Sequence, residues 1–87
     1  MATFPARLVT PESVVLDEDV YAVMLRTDEG DAAFFPGHTP LIGSVVPGLV
    51  RFVHDDETER RFEVTRGLVH VEPERVVVLV PEAEPAD

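Results

Sequence analysis

The three histidines of the chain are its clearest candidates for metal binding or acid–base chemistry. They are His38, His54 and His70, and no two of them lie closer than sixteen residues. Histidine ligands that share a metal ion are usually close neighbours on one element, so that both rings converge on the ion. His38 is predicted on a loop and His54 at a hairpin tip. The spacing therefore argues against a metal centre built from these side chains.

Nucleophilic and nucleotide-binding chemistry has equally little support in the sequence. Neither Ser13 nor Ser44 stands in a strand–turn–helix elbow, and no histidine is placed beside either of them. The five glycines do not form a glycine-rich phosphate-binding motif. The carboxylates fall in runs, which is typical of a solvated face. We therefore predict no catalytic residue, no metal site and no cofactor.

The charge of the chain bears on its partners. Seventeen acidic and seven basic residues give a formal net charge of −10, which nucleic acid or an anionic membrane surface would repel. The absence of cysteine excludes disulfides and thiolate metal sites. No apolar run approaches the roughly 20 residues that span a bilayer, and the N-terminus lacks signal-peptide features. We expect a cytoplasmic protein with no nucleic-acid partner and no direct membrane insertion.

Short apolar segments separated by Gly, Pro and acidic residues predict an all-β fold. The segment 60–65 alternates between apolar and polar side chains, as a half-buried strand does. About eight such strands can be counted, with Asp17 to Asp19 as an acidic break, and they favour an antiparallel sandwich or barrel. Residues 81–87, rich in Pro, Ala and acids, are predicted to be a disordered acidic tail.

The segment from Asp31 to Leu41 is predicted to be a stiff, shaped loop. Pro36 and Gly37 suit the second and third positions of a turn, and His38 follows them at the loop tip. The two phenylalanines that precede this turn point to opposite faces in an extended segment, which leaves one ring free for a partner.

Two strand candidates break the alternation, because both of their faces are apolar. In the segment 20–27, Tyr21, Val23 and Leu25 share one face and Val20, Ala22 and Met24 share the other. The segment 76–80 has the same property. If the two strands lie near each other, their outer side chains form an exposed apolar patch of the kind that marks a protein interface.

Several stretches together resemble one family, the epsilon subunit of F-type ATP synthases. They occur in the family's order and spacing across residues 4 to 80: LVTPE at 8–12, RTDEG at 26–30, PGHTPL at 36–41, PGLVRFV at 47–53 and VTRGLVHVEPERVVVLV at 64–80. The resemblance implies a flattened, ten-stranded antiparallel β-sandwich over residues 1–80. It also implies a non-catalytic rotor subunit in the central stalk of a bacterial, proton-translocating ATP synthase, at the cytoplasmic face of the cell membrane.

The partners implied by the resemblance are the gamma subunit, the ring of c subunits and, through gamma, the alpha/beta catalytic head. The residues expected to contact the c ring are Asp31, Phe35, His38 and Thr39. Those expected to contact gamma are Tyr21, Val23, Leu25, Val77 and Leu79. All of them are expected to act by contact, and none by catalysis.

One departure from the family concerns the C-terminus. The family's C-terminal helical hairpin, which inhibits ATP hydrolysis and in some members binds ATP, has no counterpart in this sequence. We therefore expect this chain to couple rotation without inhibiting hydrolysis and without binding nucleotide. Two other functions remain open on the residues alone: a small all-β metal-dependent enzyme of the cupin type, and a free-standing interaction module.

Overall fold

The computed structural model describes residues 2–86, and in that range it contains ten β-strands and no helix. The prediction of an all-β fold of about ten short strands is confirmed. In chain order the strands are β1 (Phe4–Val9), β2 (Val14–Val20), β3 (Ala22–Thr27), β4 (Gly30–Phe34), β5 (Leu41–Val45), β6 (Gly48–Val53), β7 (Glu59–Val64), β8 (Gly67–Val71), β9 (Val76–Leu79) and β10 (Ala83–Pro85).

The strands form a sandwich of two five-stranded layers. One layer has the order β4-β3-β6-β7-β10 and the other the order β5-β8-β9-β1-β2. The layers are joined at one corner, where β3 and β5 pair at a single position, Thr27 with Val45. Buried side chains from both layers form one hydrophobic core between them. Among the described strands β4 pairs with β3 alone, so it is an edge strand.

The core is built from alternate residues of the strands, as the pleat requires. Phe52 of β6 and Phe62 of β7 are its largest fully buried side chains, and their rings meet edge to face with centroids 6.0 Å apart. Along β7, Phe62 and Val64 are buried while Arg61 and Glu63 are exposed. The alternation predicted for this segment is therefore confirmed.

One strand pair departs from the predicted antiparallel arrangement. β1 and β9 run parallel, with Ala6 opposite Val76 and Val9 opposite Leu79. Parallel neighbours need a long connection between them, and most of the chain lies between these two strands. Both are buried within the layer, between β2 and β8. The sandwich is thus mixed, with a single parallel pair among the described strands.

The acidic run at 17–19 does not interrupt a strand, contrary to the prediction. It continues β2, in which Asp17 lies opposite Arg7 and Asp19 opposite Pro5. The carboxylate of Asp17 lies 3.3 Å from the guanidinium of Arg7. β2 ends its layer, and charged side chains on an edge strand oppose pairing with other chains.

The prediction of a disordered tail over residues 81–87 is wrong for residues 83–85. These residues form β10, which pairs antiparallel with β7. Backbone hydrogen bonds on either side hold the strand, from the amide of Thr65 to the carbonyl of Glu82 and from the amide of Ala86 to the carbonyl of Arg61. Ala83 also packs against the core. Asp87 lies outside the described residues.

Gly67, at the start of β8, lies against the backbone of the neighbouring strand. A Cβ atom at this position would lie 2.2 Å from the carbonyl oxygen of Leu79 and 2.9 Å from the Cα of Val80. Gly67→Ala is therefore expected to lower the free energy of unfolding by about 1–3 kcal/mol, as overpacking does. Urea denaturation measures the change.

Gly43→Ala is the matched control, because Gly43 lies on β5, the strand paired with β8. The nearest atom to a Cβ there is a methyl carbon of Val69 at 3.5 Å, which is an ordinary contact. Equal losses in the two variants would contradict a specific backbone clash at Gly67.

Candidate interaction surfaces

The prediction that the segment from Asp31 to Leu41 forms a single loop is wrong, because its first part belongs to strand β4. Only residues 35–40 form the connection to β5. Asp31 lies at the start of β4, beside the β3–β4 turn, and His38 lies beyond the other end. At about 3.3 Å per residue, the strand separates the two side chains by more than 10 Å. Asp31 and His38 therefore lie at opposite ends of the sandwich.

The predicted turn at Pro36 and Gly37 is confirmed. Gly37 has a φ of 82°, which is the left-handed conformation at the third position of a type II turn. The two phenylalanines diverge as predicted, since Phe34 is buried and Phe35 is 40% exposed. The ring of Phe35 meets that of Tyr21 edge to face, with centroids 5.5 Å apart. One aromatic side chain is thus available at this end of the molecule.

His38 is bound within the chain through both ring nitrogens. Its Nδ1 lies 2.9 Å from the carbonyl oxygen of Phe35, and its Nε2 lies 2.6 Å from the carbonyl oxygen of Glu72. The ring also packs edge-on against Phe4, with centroids 4.9 Å apart. Thr39, the next residue, is exposed. Of the residues predicted to contact the c ring, Phe35, His38 and Thr39 lie together and Asp31 lies apart.

Asp31 is paired with Arg26 across the β3–β4 hairpin, at 2.9 Å, and both side chains are largely exposed. Exposed ion pairs contribute little to stability, so we expect Asp31→Ala to leave the melting temperature almost unchanged. Thermal melting of the wild type and the variant measures the change, and a clear fall in the melting temperature would show that the ion pair stabilises the fold.

The predicted contact with gamma through Val23 and Leu25 is wrong for these two side chains. Both are buried in the core, Val23 with no exposed surface and Leu25 with 4%, so no partner can reach them. On the opposite face of β3, Ala22 is buried and Met24 half-buried. Tyr21, just before the strand, is also half-buried and meets Phe35. The two-faced strands β3 and β9 lie in different layers, so they do not form a joint patch.

The outward orientation predicted for Val77 and Leu79 on β9 agrees with the structure. Val77 is half-buried and Leu79 is 42% exposed. Leu79 lies opposite Leu68 of β8. Val77 lies opposite His70 of β8, which in turn lies opposite Ile42 of β5. Ile42 is 70% exposed. We call these four side chains the apolar face: Ile42, Leu68, Val77 and Leu79.

Sequence reasoning missed Ile42 and Leu68 as members of the apolar face. The signal for Leu68 was present, because Leu68 and Val69 are adjacent and one of them must point outward from a strand. Ile42 has the same relation to its neighbour Leu41. Adjacent apolar residues show that a strand has an apolar outer face, but they do not show which of the two residues occupies it.

The outer face of the other layer has a different character, because ion pairs cover much of it. Arg51 of β6 binds Glu59 of β7 through two hydrogen bonds, of 3.0 and 2.8 Å. Hydrogen bonds from Arg51 hold the pKa of Glu59 below its usual range. The same pairing raises the pKa of Arg51. Because exposed apolar side chains mark interfaces better than paired charges do, the apolar face is the stronger candidate for partner binding.

The histidines occupy three separate places. His38 binds two carbonyl oxygens, as described above. His54 lies 2.5 Å from a carboxylate oxygen of Glu18, whose other oxygen accepts a hydrogen bond from Arg60. His70 lies 3.9 Å from Glu72. Within residues 2–86 no three His, Asp or Glu side chains are grouped so as to hold a metal ion.

The class of protein follows from the fold and from its agreement with a known domain. A family model described as the beta-sandwich domain of the ATP synthase delta/epsilon chain matches residues 3–86. The chain belongs to this family. Residues 2–86 include no helix with the length and hydrophobicity needed to cross a membrane.

Curated relatives carry the name ATP synthase epsilon chain. That of Desulforudis audaxviator is 43% identical over 83 residues, covering 95% of this chain and 60% of the relative. That of Bacillus subtilis is 37% identical over 87 residues, covering all of this chain and 65% of the relative. The chain therefore spans a little under two thirds of the length of these relatives.

Solved structures agree on the fold. A chain of the Euglena gracilis mitochondrial ATP synthase superposes with a TM-score of 0.89 at 24% identity, over 98% of this chain and 54% of that one. A chain of the Tetrahymena thermophila mitochondrial ATP synthase central stalk and c ring gives a TM-score of 0.79 at 17% identity, over 92% and 64% respectively. At these identities the likeness concerns the fold alone.

Proposed function

We propose that this chain is the β-sandwich part of a non-catalytic central-stalk subunit of a proton-translocating F-type ATP synthase. In that role it would couple gamma to the c ring during ATP synthesis, at the cytoplasmic face of the membrane and as a peripheral part of the complex. The observation that carries the proposal is the family match over residues 3–86. The names of the curated relatives support it.

The contact with gamma is proposed to be made by the apolar face. Its four side chains are exposed in part and carried by three adjacent strands, and they lie on one surface, with His70 between Ile42 and Val77. Fully burying a large apolar side chain contributes about 1.5–3 kcal/mol. Because the four side chains are already partly buried, each would contribute less than this, and the contact would also draw on neighbouring groups. The alpha/beta catalytic head would be reached only through gamma.

The contact with the c ring is proposed to lie along the edge strand β4. Asp31 stands at one end of this strand, and Phe35, His38 and Thr39 follow its other end. Because β4 pairs with β3 alone among the described strands, both ends can be approached from one side. Exposed Asp31 can accept hydrogen bonds from polar loops of the ring, which are charge-assisted, and the hydroxyl of exposed Thr39 can donate or accept them.

The experiment that tests the proposal is recoupling of a depleted complex. Membrane vesicles of the source organism are stripped of their epsilon chain, and ATP-driven proton pumping is measured before and after this chain is added. We expect pumping to recover when the chain is added. If NMR shows that the added chain is folded and the vesicles hydrolyse ATP without any recovery of proton pumping, the proposal is contradicted. That result would favour an interaction module that acts elsewhere.

A further inference from the structure

The turn that follows β4 is tied to the opposite layer by a side chain. Residues 36 and 37 form a local turn, but among the described residues positions 36–39 form no backbone hydrogen bond to another segment. Pro36 has no amide hydrogen to donate. His38 makes two contacts from this segment, one to the carbonyl oxygen of Phe35 and one to that of Glu72. Glu72 begins the β8–β9 turn, in the other layer, so His38 joins two separate segments.

Both ring nitrogens of His38 face groups that can only accept. A backbone carbonyl oxygen has no hydrogen, so each ring nitrogen must carry one for its contact to be a hydrogen bond. A neutral imidazole has one N–H, whereas an imidazolium has two. Only the protonated ring can therefore make both contacts. In the neutral ring, one nitrogen must turn its lone pair toward a carbonyl oxygen.

We propose that His38 is a proton-dependent bridge between residues 36–39 and the β8–β9 turn, complete in the protonated ring and reduced to one hydrogen bond in the neutral ring. The inference concerns the chain itself and does not depend on the proposed function. Histidine is the side chain that ordinarily changes its charge between about pH 5 and 8. Loss of one ring proton from His38 would therefore remove one of the two hydrogen bonds at this end of the sandwich.

The other charged groups near the bridge either keep their charge in this range or can be separated from it by mutation. From β1 the ring is met by Phe4, which is apolar. The β8–β9 turn carries Glu72, Glu74 and Arg75. A hydrogen bond from Arg75 lowers the pKa of Glu72, so that carboxylate stays ionised while an imidazole titrates. His70, 3.9 Å from the Glu72 carboxylate, is the other imidazole near the bridge.

NMR of the isotope-labelled chain tests the bridge. The ring nitrogens of His38 and His70 are followed from pH 5 to pH 8, together with the backbone amides of Gly37, Thr39 and Arg75. We expect both nitrogens of His38 to be protonated at the acid end and one at the alkaline end. The chemical shifts of the amides in residues 36–39 and in the β8–β9 turn should change together, with the same midpoint pH as the signals of the His38 ring.

Two variants separate His38 from its neighbour. His38→Gln removes the titrating ring and should abolish the shared transition, whereas His70→Gln should leave it in place. The proposal is overturned if the chemical shifts of the β8–β9 turn amides change with the midpoint pH of the His70 ring. It is also overturned if the amides of residues 36–39 and of the β8–β9 turn keep their chemical shifts while His38 loses its proton. The wild-type titration decides the question by itself if His38→Gln does not fold, because it compares the His38 ring with both segments directly.

Discussion

Val23→Asp is expected to abolish the folded state of this domain. Val23 is fully buried near the start of β3, between Phe34 of β4 and Phe52 of β6 in the strand register. A carboxylate there would be surrounded by apolar side chains and would have no partner. Burying an unpaired charge is among the most destabilising substitutions known, at more than about 4 kcal/mol. That is comparable to the whole stability of a small domain, about 5–15 kcal/mol.

The matched control is Val77→Asp, which places the same substitution on the outer side of β9. Val77 is half-buried on the apolar face, where an aspartate can reach water. Proton NMR and urea denaturation of both variants check the expectation. We expect Val77→Asp to keep dispersed resonances and a cooperative transition, and Val23→Asp to lose both. A well-folded Val23→Asp variant would show that the inner and outer faces of β3 have been exchanged.

Leu79→Asp is expected to weaken binding to the gamma subunit at least tenfold without unfolding the domain. Leu79 is 42% exposed and lies beside Leu68 on the apolar face. Loss of a central hot-spot side chain costs about 2 kcal/mol or more in binding free energy, and about 1.4 kcal/mol is a factor of ten in affinity. Isothermal titration of purified gamma into the chain measures the change.

Leu49→Asp is the matched control for Leu79→Asp, because it places the same charge on the outer face of the other layer. Leu49 is 40% exposed, nearly the same as Leu79. It lies on β6 opposite Glu63, on the outer side of the other layer. Both variants replace a leucine of nearly equal exposure by aspartate. They therefore differ mainly in whether the apolar face or the outer face of the other layer is altered. A larger loss of gamma affinity in Leu49→Asp would place the interface on the charged layer.

The features of the fold that the sequence predicts are those set by local chemistry. Alternation along β7 correctly assigns Phe62 to the core, and the Pro36–Gly37 pair correctly gives the turn after β4. The failure of alternation in β9 correctly indicates that this strand has an apolar outer face, although it does not show which residues occupy that face. In each case the relevant physical preference acts within a few residues of chain, so the local sequence contains it.

The orientation of β3 could not be predicted in this way, because both of its faces are apolar. The structure places Val23 inside and Met24 outside. The outer face is partly covered by Arg51, whose guanidinium lies 3.6 Å from the sulfur of Met24. That cover comes from β6, 27 residues further along the chain. Periodicity within one strand contains no information about it.

Non-local contacts also explain the two segments whose structure was predicted wrongly. The composition of residues 83–85 favours disorder, yet Ala83 packs on the core and β7 supplies an edge for pairing. In the acidic run of β2, Glu18 is bound by His54 and Arg60 from the opposite layer. These partners stabilise a strand that its own residues would not favour.

For the proposed interaction surfaces, the sequence predicted apolar outer side chains on β9 and a loop position for His38, but not the surroundings of either. The predicted contact residue His38 proves to be engaged with two carbonyl oxygens of its own chain. Ile42 joins Val77 in one row only because β5, β8 and β9 are neighbours. Strand order is a property of the whole fold, so a surface assembled from several strands cannot be derived from one segment.

The most direct test of the central claim is affinity capture of this chain from a lysate of its source organism. The tagged chain is used as bait, and the recovered proteins are identified by mass spectrometry. A rotor subunit predicts recovery of gamma together with alpha and beta, and loss of all three when Leu79→Asp is the bait. Recovery of none of them by the folded wild-type chain would contradict a place in the central stalk.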